Sequence, residues 1–438
     1  MPDTPAPPPR IAERLSHDLF LPDETKKIRA QVRQVAETDV APYASEIGAR
    51  DESPESFPWA PFRSLAAAGL FRIPLGPEYG MGLGYRALAA ATAVEELAYV
   101  CSSVATVYDG QCILAGRTIE HGTQRVRDEY LAPLSTGDAV ASFATTEPDA
   151  STDLSPGALQ TVAERTSAGW VISGRKRFIT NAPVADFVAA LCRTGDRASF
   201  LLIPLKDTPG VTVGAPDKKL GQRGQLTADI VLDRVELPED HLLGEEGQGL
   251  KIALSVLTYS RVAIGAAGVA LAQCALDLAV EHLSRRRAFG KRLGEFQHWQ
   301  FRMAEHATAI ECARSLYQKA ALRIDIGTAS AGPVGGAGAP TDTAMSRQAK
   351  SHDQSDSFPE PEAAMAKWYG TSLAVDVSRD ALQALGGYGY MREQAATGEG
   401  SKHEEIYRDA KIGEIYEGAN EIQKWIIARS IFGRDITG

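Results

Sequence analysis

The sequence predicts an α+β protein, mostly α, with an N-terminal helical domain, a middle antiparallel β domain and a C-terminal four-helix bundle. Three observations lead to this fold class. Ala-rich segments with helical periodicity fill residues 21–139, short β-branched and aromatic runs fill residues 140–245, and long amphipathic segments fill residues 246–438. At about 150 residues per domain, a chain of 438 residues has room for three such units.

Composition narrows the classes of partner. Lys and Arg total 46 against 56 Asp and Glu, and the resulting net charge of −10 argues against a nucleic-acid partner. The five cysteines are odd in number and contain no CxxC pair, which predicts neither disulfides nor a zinc site and favours the cytoplasm. The eight histidines show no metal-binding spacing, so no metal is expected.

The N-terminal domain is expected to start near Leu21. Residues 1–20 open on a Pro-rich run without the apolar core of a secretory signal, and they are predicted to be disordered. From Asp23 onward, acidic residues suit a helix N-terminus, and Ile28, Val32 and Val35 form one apolar stripe.

The middle region is predicted to be a sandwich or barrel. Its runs WVISG, RFITNA, FVAALC, SFLLIPL and DIVLDRVEL are bounded by Gly, Pro, Asp and Asn, which is typical of short strands. No G-x-G-x-x-G motif follows a strand and opens a helix, so the sequence gives no support for a Rossmann nucleotide site.

Four helices are predicted after residue 246. In the first, apolar residues repeat every seven positions with Ala and Gly between them, as in a helix packed on several sides. Its apolar stretch 262–280 contains Gln273 and Asp277 and therefore predicts a buried helix, not a membrane span. A second helix carries apolar residues three, four or seven apart: Phe296, Trp299, Met303, Ile310, Tyr317 and Ile324.

The third helix is expected to run from about Pro361 to the glycines Gly386 and Gly387. The last is expected to begin at Asn420 as the N-cap and to turn four side chains inward: Ile422, Trp425, Ile426 and Ile431. Between the second and third helices, residues 327–360 are rich in Gly, Ala, Ser and Pro and predict a disordered loop. A docking or regulatory tail is the alternative there, with nothing in the sequence to support it.

Glu417 is the sharpest candidate for chemistry. It lies in IYEGANEIQ, between an apolar-aromatic dipeptide and Gly418, just before the last helix. A carboxylate stripped of water by Ile415 and Tyr416 has a raised pKa and becomes a useful base near neutrality. The alternative is that Glu417 only complements the dipole of that helix.

Three further segments have both a functional and a structural interpretation. The turn at 145–153 (TTEPDASTD) can hold an anionic or heteroaromatic ligand, or simply be a turn. The run at 285–291 (RRRAFGK) suits a diphosphate, or a solvated helix end. The Gly-rich 384–390 (ALGGYGY) permits close approach of backbone to a ligand, or caps a helix.

Taken in order, these pieces resemble the acyl-CoA dehydrogenase family of flavoproteins. The resemblance runs from about Leu21 to Phe432 and rests on six stretches: PEYGMGLGY, FATTEPDASTD, GRKRFITNAPVADF, RRRAFGKRLGEFQ, LQALGGYGY and RDAKIGEIYEGANEIQ. It implies the same three-domain architecture and a noncovalently held FAD between the β domain and the C-terminal bundle.

The resemblance also implies the residues that hold FAD. Those beside the flavin ring and diphosphate are Phe143, Thr145, Thr146, Ser151, Thr152, Phe178 and Thr180. Those that reach the FAD of a neighbouring subunit are Arg286, Phe289 and Gln297, and those under the adenosine diphosphate are Gln383, Gly386 and Gly387. A cofactor shared between chains implies a homo-oligomer, a tetramer built as a dimer of dimers.

Glu417 matches the catalytic base of the family. The implied reaction removes the α-proton of an acyl-CoA thioester as a hydride passes from the β-carbon to the flavin, which gives a trans-2-enoyl-CoA. The Glu417 N–H and a hydroxyl of FAD then stabilise the thioester oxygen. Some relatives place the base one residue before Arg261, but that position is Ser260 here, so Glu417 has no rival. The resemblance also implies that Ser260, Arg261 and Gly418 line the substrate channel.

The chain departs from the family pattern at three positions. Ala419 and Ala288 stand where Thr is common, and Ser151 stands where Gly is common, so single FAD contacts are expected to weaken. The implied electron acceptor is an electron-transfer flavoprotein. The alternatives are a same-fold dehydrogenase of carrier-protein-bound acyl groups, an acyl-CoA oxidase, and a non-catalytic flavin-binding paralogue, which the presence of Glu417 disfavours.

Overall fold

The computed structural model describes residues 10–16, 18, 21–150, 152–330, 359–398 and 400–437. Helices form both ends of the described chain and a sheet forms its middle, as the sequence predicts. The N-terminal α-helices are α1 (Ala12–Leu15), α2 (Asp23–Val35), α3 (Ala41–Ala49), α4 (Trp59–Ala67), α5 (Arg86–Val100), α6 (Ser102–Tyr108), α7 (Arg117–Ile119), α8 (Gln124–Val126) and α9 (Ala132–Thr136). Three π-helical segments interrupt them at Ala36–Val40, Asp109–Gly116 and Arg127–Leu131.

The segment before Leu21 differs from the prediction of disorder. Residues 12–15 form helix α1, and Arg10 is buried where its guanidinium donates to Glu96 and lies 3.9 Å above the Tyr99 ring. A buried acid on α5 thus orders part of a segment whose composition alone favours disorder. Residues 1–9, 17, 19 and 20 lie outside the described residues.

The middle of the chain forms an eight-stranded sheet. Its strands are β1 (Ala141–Ala144), β2 (Val162–Thr166), β3 (Gly169–Thr180), β4 (Phe187–Thr194), β5 (Arg197–Pro204), β6 (Val211–Val213), β7 (Thr227–Leu237) and β8 (Leu242–Leu243). The order is β6-β7-β3-β2-β4-β5-β8, with β1 paired to β4. Pairing is antiparallel, as predicted, except that β1 and β2 each run parallel to β4. The long connections between those strands make parallel pairing possible.

The C-terminal helices are α10 (Gly249–Arg285), α11 (Gln297–Ser330), α12 (Glu360–Leu385), α13 (Gly387–Tyr390), α14 (Lys402–Ile412), α15 (Asn420–Phe432) and α16 (Arg434–Thr437). A small hairpin, β9 (Arg287–Ala288) and β10 (Lys291–Arg292), joins α10 to α11. Because α11 extends to Ser330 and α12 starts at Glu360, the predicted insertion 327–360 is helical at both ends. Its residues 331–358 lie outside the described residues.

Glycines let α10 and α12 pack closely. A Cβ added to Gly268 would lie 2.5 Å from the carbonyl of Gly370, and one added to Gly265 would lie 2.8 Å from the backbone of Ala366. Helix α10 is long and apolar enough to cross a membrane by length and composition, but nearly all of its most apolar window is buried in the bundle. The close packing explains the Gly and Ala between its apolar repeats.

The start of α15 and two of its predicted inward residues are corrected. The N-cap is Ala419, and Asn420 is the first helical residue, with its side chain bonded to other helices. Ile426 is buried, but Trp425 and Ile431 are 41% and 69% exposed. The helix buries only one narrow face against α12, so apolar side chains on its flanks stay outside in this single chain.

Candidate active site

The loop between α14 and α15 has an unusual backbone at Glu417. Its φ is +57°, and Gly418 follows with φ +85°, so two consecutive residues are left-handed. A non-glycine residue in this region is uncommon, and such outliers concentrate at functional sites. The conformation has to be held by surrounding contacts.

Three side chains hold the two carbonyls of this turn. Arg261 Nε on α10 donates to the Glu417 carbonyl at 3.2 Å. Lys367 Nζ on α12 and Gln423 Nε2 on α15 donate to the Gly418 carbonyl at 2.9 and 2.8 Å. Side chains from three helices therefore fix the backbone that carries the Glu417 carboxyl.

Lys367 is fully buried and was missed by the sequence analysis. Its ammonium also donates to Asn420 Oδ1 at 2.9 Å, which ties the turn to the first residue of α15. Burial lowers the pKa of Lys367 to about 7, although the negative charge of Glu417 acts to raise it. A lone Lys in the apolar run AAMAKWYG is the signal that marks it.

The Glu417 carboxyl is short of hydrogen bonds. Its Oε2 is buried with no hydrogen-bond partner among the described residues, although the residue as a whole is half-buried. Burial raises the pKa of Glu417 to about 7, and Arg261, the Ser260 hydroxyl and Lys367 oppose the rise. A carboxyl in this state is a base near neutral pH.

A second carboxyl lies next to the first. Asp109, at the start of the π-helical segment Asp109–Gly116, is 2% exposed, and Ser260 Oγ lies 3.1 and 3.0 Å from its two carboxyl oxygens. Burial and the charge of Glu417 raise the pKa of Asp109 well above its usual range. The sequence analysis missed Asp109, although an acid inside the apolar stretch SSVATVYDGQCIL is a visible signal.

The residues expected to line the substrate channel are brought together. Ser260 and Arg261 are buried neighbours on α10, and a Cβ on Gly418 would lie 3.5 Å from Arg261 Nη2. Arg261 Nη1 lies 3.6 Å from Glu360 Oε1 at the start of α12. The arrangement joins Glu417, Gly418, Ser260 and Arg261 in one cluster.

The β domain presents its expected residues at the ends of β1 and β3. Thr145 is buried and Thr146 half-buried, while the Phe143 ring packs inside the sheet, 5.4 Å from the Phe200 ring. Thr152 is exposed, and Ser151 lies outside the described residues.

Phe178 and Thr180 face away from the sheet core. Phe178 is 57% exposed with φ +58°, and Thr180 is half-buried and bonded through Oγ1 to Gln225 Nε2 at 3.0 Å. A Cβ on Gly110 would lie 3.0 Å from Thr180 Cγ2. The end of β3 therefore lies against the segment that carries Asp109.

The remaining expected residues form a second, exposed group at one end of the C-terminal bundle. Phe289 is 95% exposed with φ +51°, and the Arg286 guanidinium lies 5.4 Å from the Tyr388 ring, next to Gly387. All members of this group are exposed in the single chain: Arg286, Phe289, Gln297, Gln383, Gly386 and Gly387. Across the described residues no group of three or more His, Cys, Asp or Glu is placed to hold a metal ion.

Comparisons with known proteins match this architecture along nearly the whole chain. Family models for acyl-CoA dehydrogenase match in three parts: the N-terminal domain at residues 22–138, the middle domain at 142–235 and the C-terminal domain at 247–432. The short-chain specific acyl-CoA dehydrogenase of Clostridium acetobutylicum is 34% identical over 420 residues, which cover 95% of this chain and 100% of that protein.

Two solved structures are similar in fold and sequence. Butyryl-CoA dehydrogenase from Megasphaera elsdenii aligns with a TM-score of 0.79 at 29% identity, covering 94% of this chain and 99% of that chain. A glutaryl-coenzyme A dehydrogenase in complex with glutaryl-CoA aligns with a TM-score of 0.81 at 29% identity, covering 95% and 97%.

Proposed function

Because this chain belongs to the acyl-CoA dehydrogenase family, we propose that it oxidises an acyl-CoA thioester to the trans-2-enoyl-CoA with Glu417 as the α-proton base. The chain is an oxidoreductase that uses FAD. The observation that supports the role of Glu417 is its buried, under-bonded carboxyl on a left-handed turn held by three helices.

The described residues fit FAD. An exposed aromatic ring on a left-handed backbone, as at Phe178, suits a flat heteroaromatic ring, and the half-buried Thr180 beside it offers a hydroxyl. Gly110 lies against Thr180, and its neighbour Asp109 interacts with Glu417, whose Oε2 has no hydrogen-bond partner among the described residues. We assign FAD binding to two sets of residues. The first set is in the β domain: Phe143, Thr145, Thr146, Ser151, Thr152, Phe178 and Thr180. The second is the exposed group of the C-terminal bundle: Arg286, Phe289, Gln297, Gln383, Gly386 and Gly387.

FAD, when bound, supplies the acceptor for the hydride that leaves the β-carbon. The Glu417 carboxylate accepts the α-proton, and a base poised near neutral pH contributes about 10² to 10⁴ in rate. The Glu417 N–H donates to the thioester oxygen where negative charge develops, a type of contact that contributes about 2.7–4 kcal/mol. Ser260, Arg261 and Gly418 line the channel that leads the acyl chain to this carboxyl.

Arg261 and Lys367 serve the base in two ways. Their hydrogen bonds fix the carbonyls of the turn, and their charges lower the pKa of Glu417 against its burial. Without these cations the carboxyl would stay protonated at neutral pH and could not accept a proton.

We assign the second group to a contact between subunits. A phenylalanine 95% exposed next to Arg286, together with the exposed flank of α15, is an apolar surface that a partner chain would cover. A homotetramer built as a dimer of dimers, acting in the cytoplasm with an electron-transfer flavoprotein as acceptor, completes the proposal. The five free cysteines are consistent with a reducing compartment.

The test is anaerobic bleaching of the flavin by a panel of acyl-CoAs. We expect Glu417→Gln to bind FAD and acyl-CoA but to bleach at least about 10² times more slowly. Glu164→Gln, the same change at an exposed carboxyl on β2, is the matched control and should bleach at the native rate. If the flavin of Glu417→Gln bleached as fast as that of the native enzyme, Glu417 would not be the base.

The same preparations separate the alternatives. Faster bleaching by acyl groups on a carrier protein would indicate the carrier-bound class, and a stoichiometric yield of H₂O₂ in air would indicate an oxidase. A purified protein without flavin colour would indicate the non-catalytic paralogue.

A further inference from the structure

Three separate segments meet around the hydroxyl of Ser260. Ser260 is fully buried on α10, and its Oγ lies within 3.1 Å of both carboxyl oxygens of Asp109. The same hydroxyl acts on the Glu417 carboxyl, whose pKa it lowers. One hydroxyl therefore interacts with two carboxyls that come from different parts of the chain.

The two carboxyls have different surroundings. Arg261 from α10 and Lys367 from α12 face Glu417, and Arg261 is itself near Glu360. Asp109 faces Glu417 and Ser260, and the other titratable groups beside it are Tyr108, Cys112 and Tyr416. None of the described groups acting on Asp109 is a cation. A buried carboxylate without a cation is costly, especially beside a second carboxylate.

We infer that Asp109 is a positioning residue for the proposed base: it remains a neutral acid while Glu417 is ionised, and it acts on Glu417 through the Ser260 hydroxyl. This inference rests on the proposed role of Glu417. Asp109 is assigned no contact with the reacting atoms.

Proton placement follows from the two charge states. A protonated Asp109 donates its O–H to Ser260 Oγ, which leaves the serine hydroxyl free to donate to the Glu417 carboxylate. An ionised Asp109 would instead draw the serine proton to itself and place a second negative charge next to the base. The first arrangement keeps Glu417 available as a carboxylate, because a second negative charge beside it would raise its proton affinity and favour its protonated form.

Glu417, Asp109 and Ser260 should each have a separate effect on how the rate of flavin bleaching depends on pH. Ionisation of Glu417 sets the acid side of the profile, and ionisation of Asp109 causes a decline on the alkaline side. Asn at position 109 keeps an N–H donor for Ser260 but cannot ionise, so Asp109→Asn should keep the acid side and lose the alkaline decline. Ser260→Ala removes a hydrogen bond from the Glu417 carboxylate, so its acid side should move up by about half to one pH unit.

The experiment measures the rate of flavin bleaching by one saturating acyl-CoA from pH 5 to pH 10 in the native holoenzyme and both variants. Thermal unfolding of each variant checks that it is folded. Infrared spectra at neutral pH give a second readout, because a buried protonated carboxyl has its own carbonyl band. Because other buried acids such as Glu417 also carry protons at this pH, the readout is the difference spectrum: we expect native minus Asp109→Asn to contain one such band and native minus Ser260→Ala to lack it.

An unchanged alkaline decline in Asp109→Asn, or the absence of any infrared difference between it and the native enzyme, would overturn the inference. A change in KM with both sides of the profile in place would also overturn it, since Asp109 would then act on substrate binding. Failure of the proposed function is distinguishable, because it would show as native bleaching by Glu417→Gln whatever Asp109 does.

Discussion

Glu147 and Glu417 are two glutamates with buried carboxyl oxygens in opposite surroundings. Glu147, in the turn after β1, is 1% exposed and accepts from Lys176 Nζ at 2.7 Å, Thr161 N at 3.0 Å and Gln160 N at 2.5 Å. Burial would raise its pKa, but Lys176 and these hydrogen bonds outweigh burial and lower it. Glu417 keeps an orphaned oxygen and a pKa raised to about 7.

The difference shows what separates a structural carboxylate from the proposed base. Both side chains lose water, and both have a lysine nearby. At Glu147 the lysine donates to the carboxylate itself, whereas Lys367 donates to the backbone next to Glu417. Arg261 and Lys367 donate to the backbone carbonyls of the turn and not to the carboxylate. Glu417 therefore keeps free lone pairs that can accept a proton.

Loss of the Glu147 carboxylate is expected to have the largest effect on stability. Glu147→Gln leaves Lys176, which is fully buried, without its counter-charge and should cost about 3–5 kcal/mol in the free energy of unfolding measured with urea. Glu164→Gln, on the exposed face of β2, is the control. A loss below about 1 kcal/mol would mean that the two glutamates differ less than their contacts indicate.

The pH dependence of stability should have opposite signs at the two sites. The raised pKa of Glu417 means that the folded state keeps a proton that the unfolded state releases between pH 4.5 and about 7. Stability therefore falls as pH rises through that window, by up to about 3 kcal/mol. The lowered pKa of Glu147 gives stability that is present above pH 4.5 and lost as pH falls through its folded value.

Glu417→Gln isolates the first of these effects. We expect the variant to be as stable as the native enzyme near pH 4.5 and more stable at pH 8, in urea titrations at both pH values. A constant difference across this range would contradict the raised pKa of Glu417.

Removal of the lysine under the turn should slow the reaction without unfolding the protein. Lys367→Gln loses the charge and part of the hydrogen bonding to the Gly418 carbonyl and Asn420, so the carboxyl of Glu417 is less well placed. We expect kcat to fall by about 10 to 100-fold with a smaller change in KM. Lys319→Gln, an exposed lysine on α11, is the control, and equal rates in the two variants would exclude a positioning role for Lys367.

The smallest expected effect is at Ala419. This N-cap of α15 makes no side-chain hydrogen bond, and its backbone has φ −50° and ψ 154°. Ala419→Ser should add a cap and stabilise the enzyme by about 1 kcal/mol in thermal unfolding, with bleaching rates unchanged or improved. A loss of stability would show that the turn before α15 cannot accept a side-chain oxygen.

The sequence was informative where one short segment carries the signal. Helical periodicity and turn residues placed α10, α12 and the strands, and the local pattern around Glu417 marked the proposed base before any contact was known. The predictions went wrong where a distant partner decides the outcome. Arg10 is ordered by Glu96 on another helix, and Trp425 stays exposed because α15 buries only one face.

By itself the sequence determined the three-part architecture, the family and the position of one carboxyl before a helix, because these depend on local pattern and on motifs within a few residues. The tertiary structure decided what that carboxyl can do. Asp109, Ser260 and Lys367 are separated from Glu417 by up to about 300 residues, and only folding brings them together, where their charges and hydrogen bonds set its proton affinity.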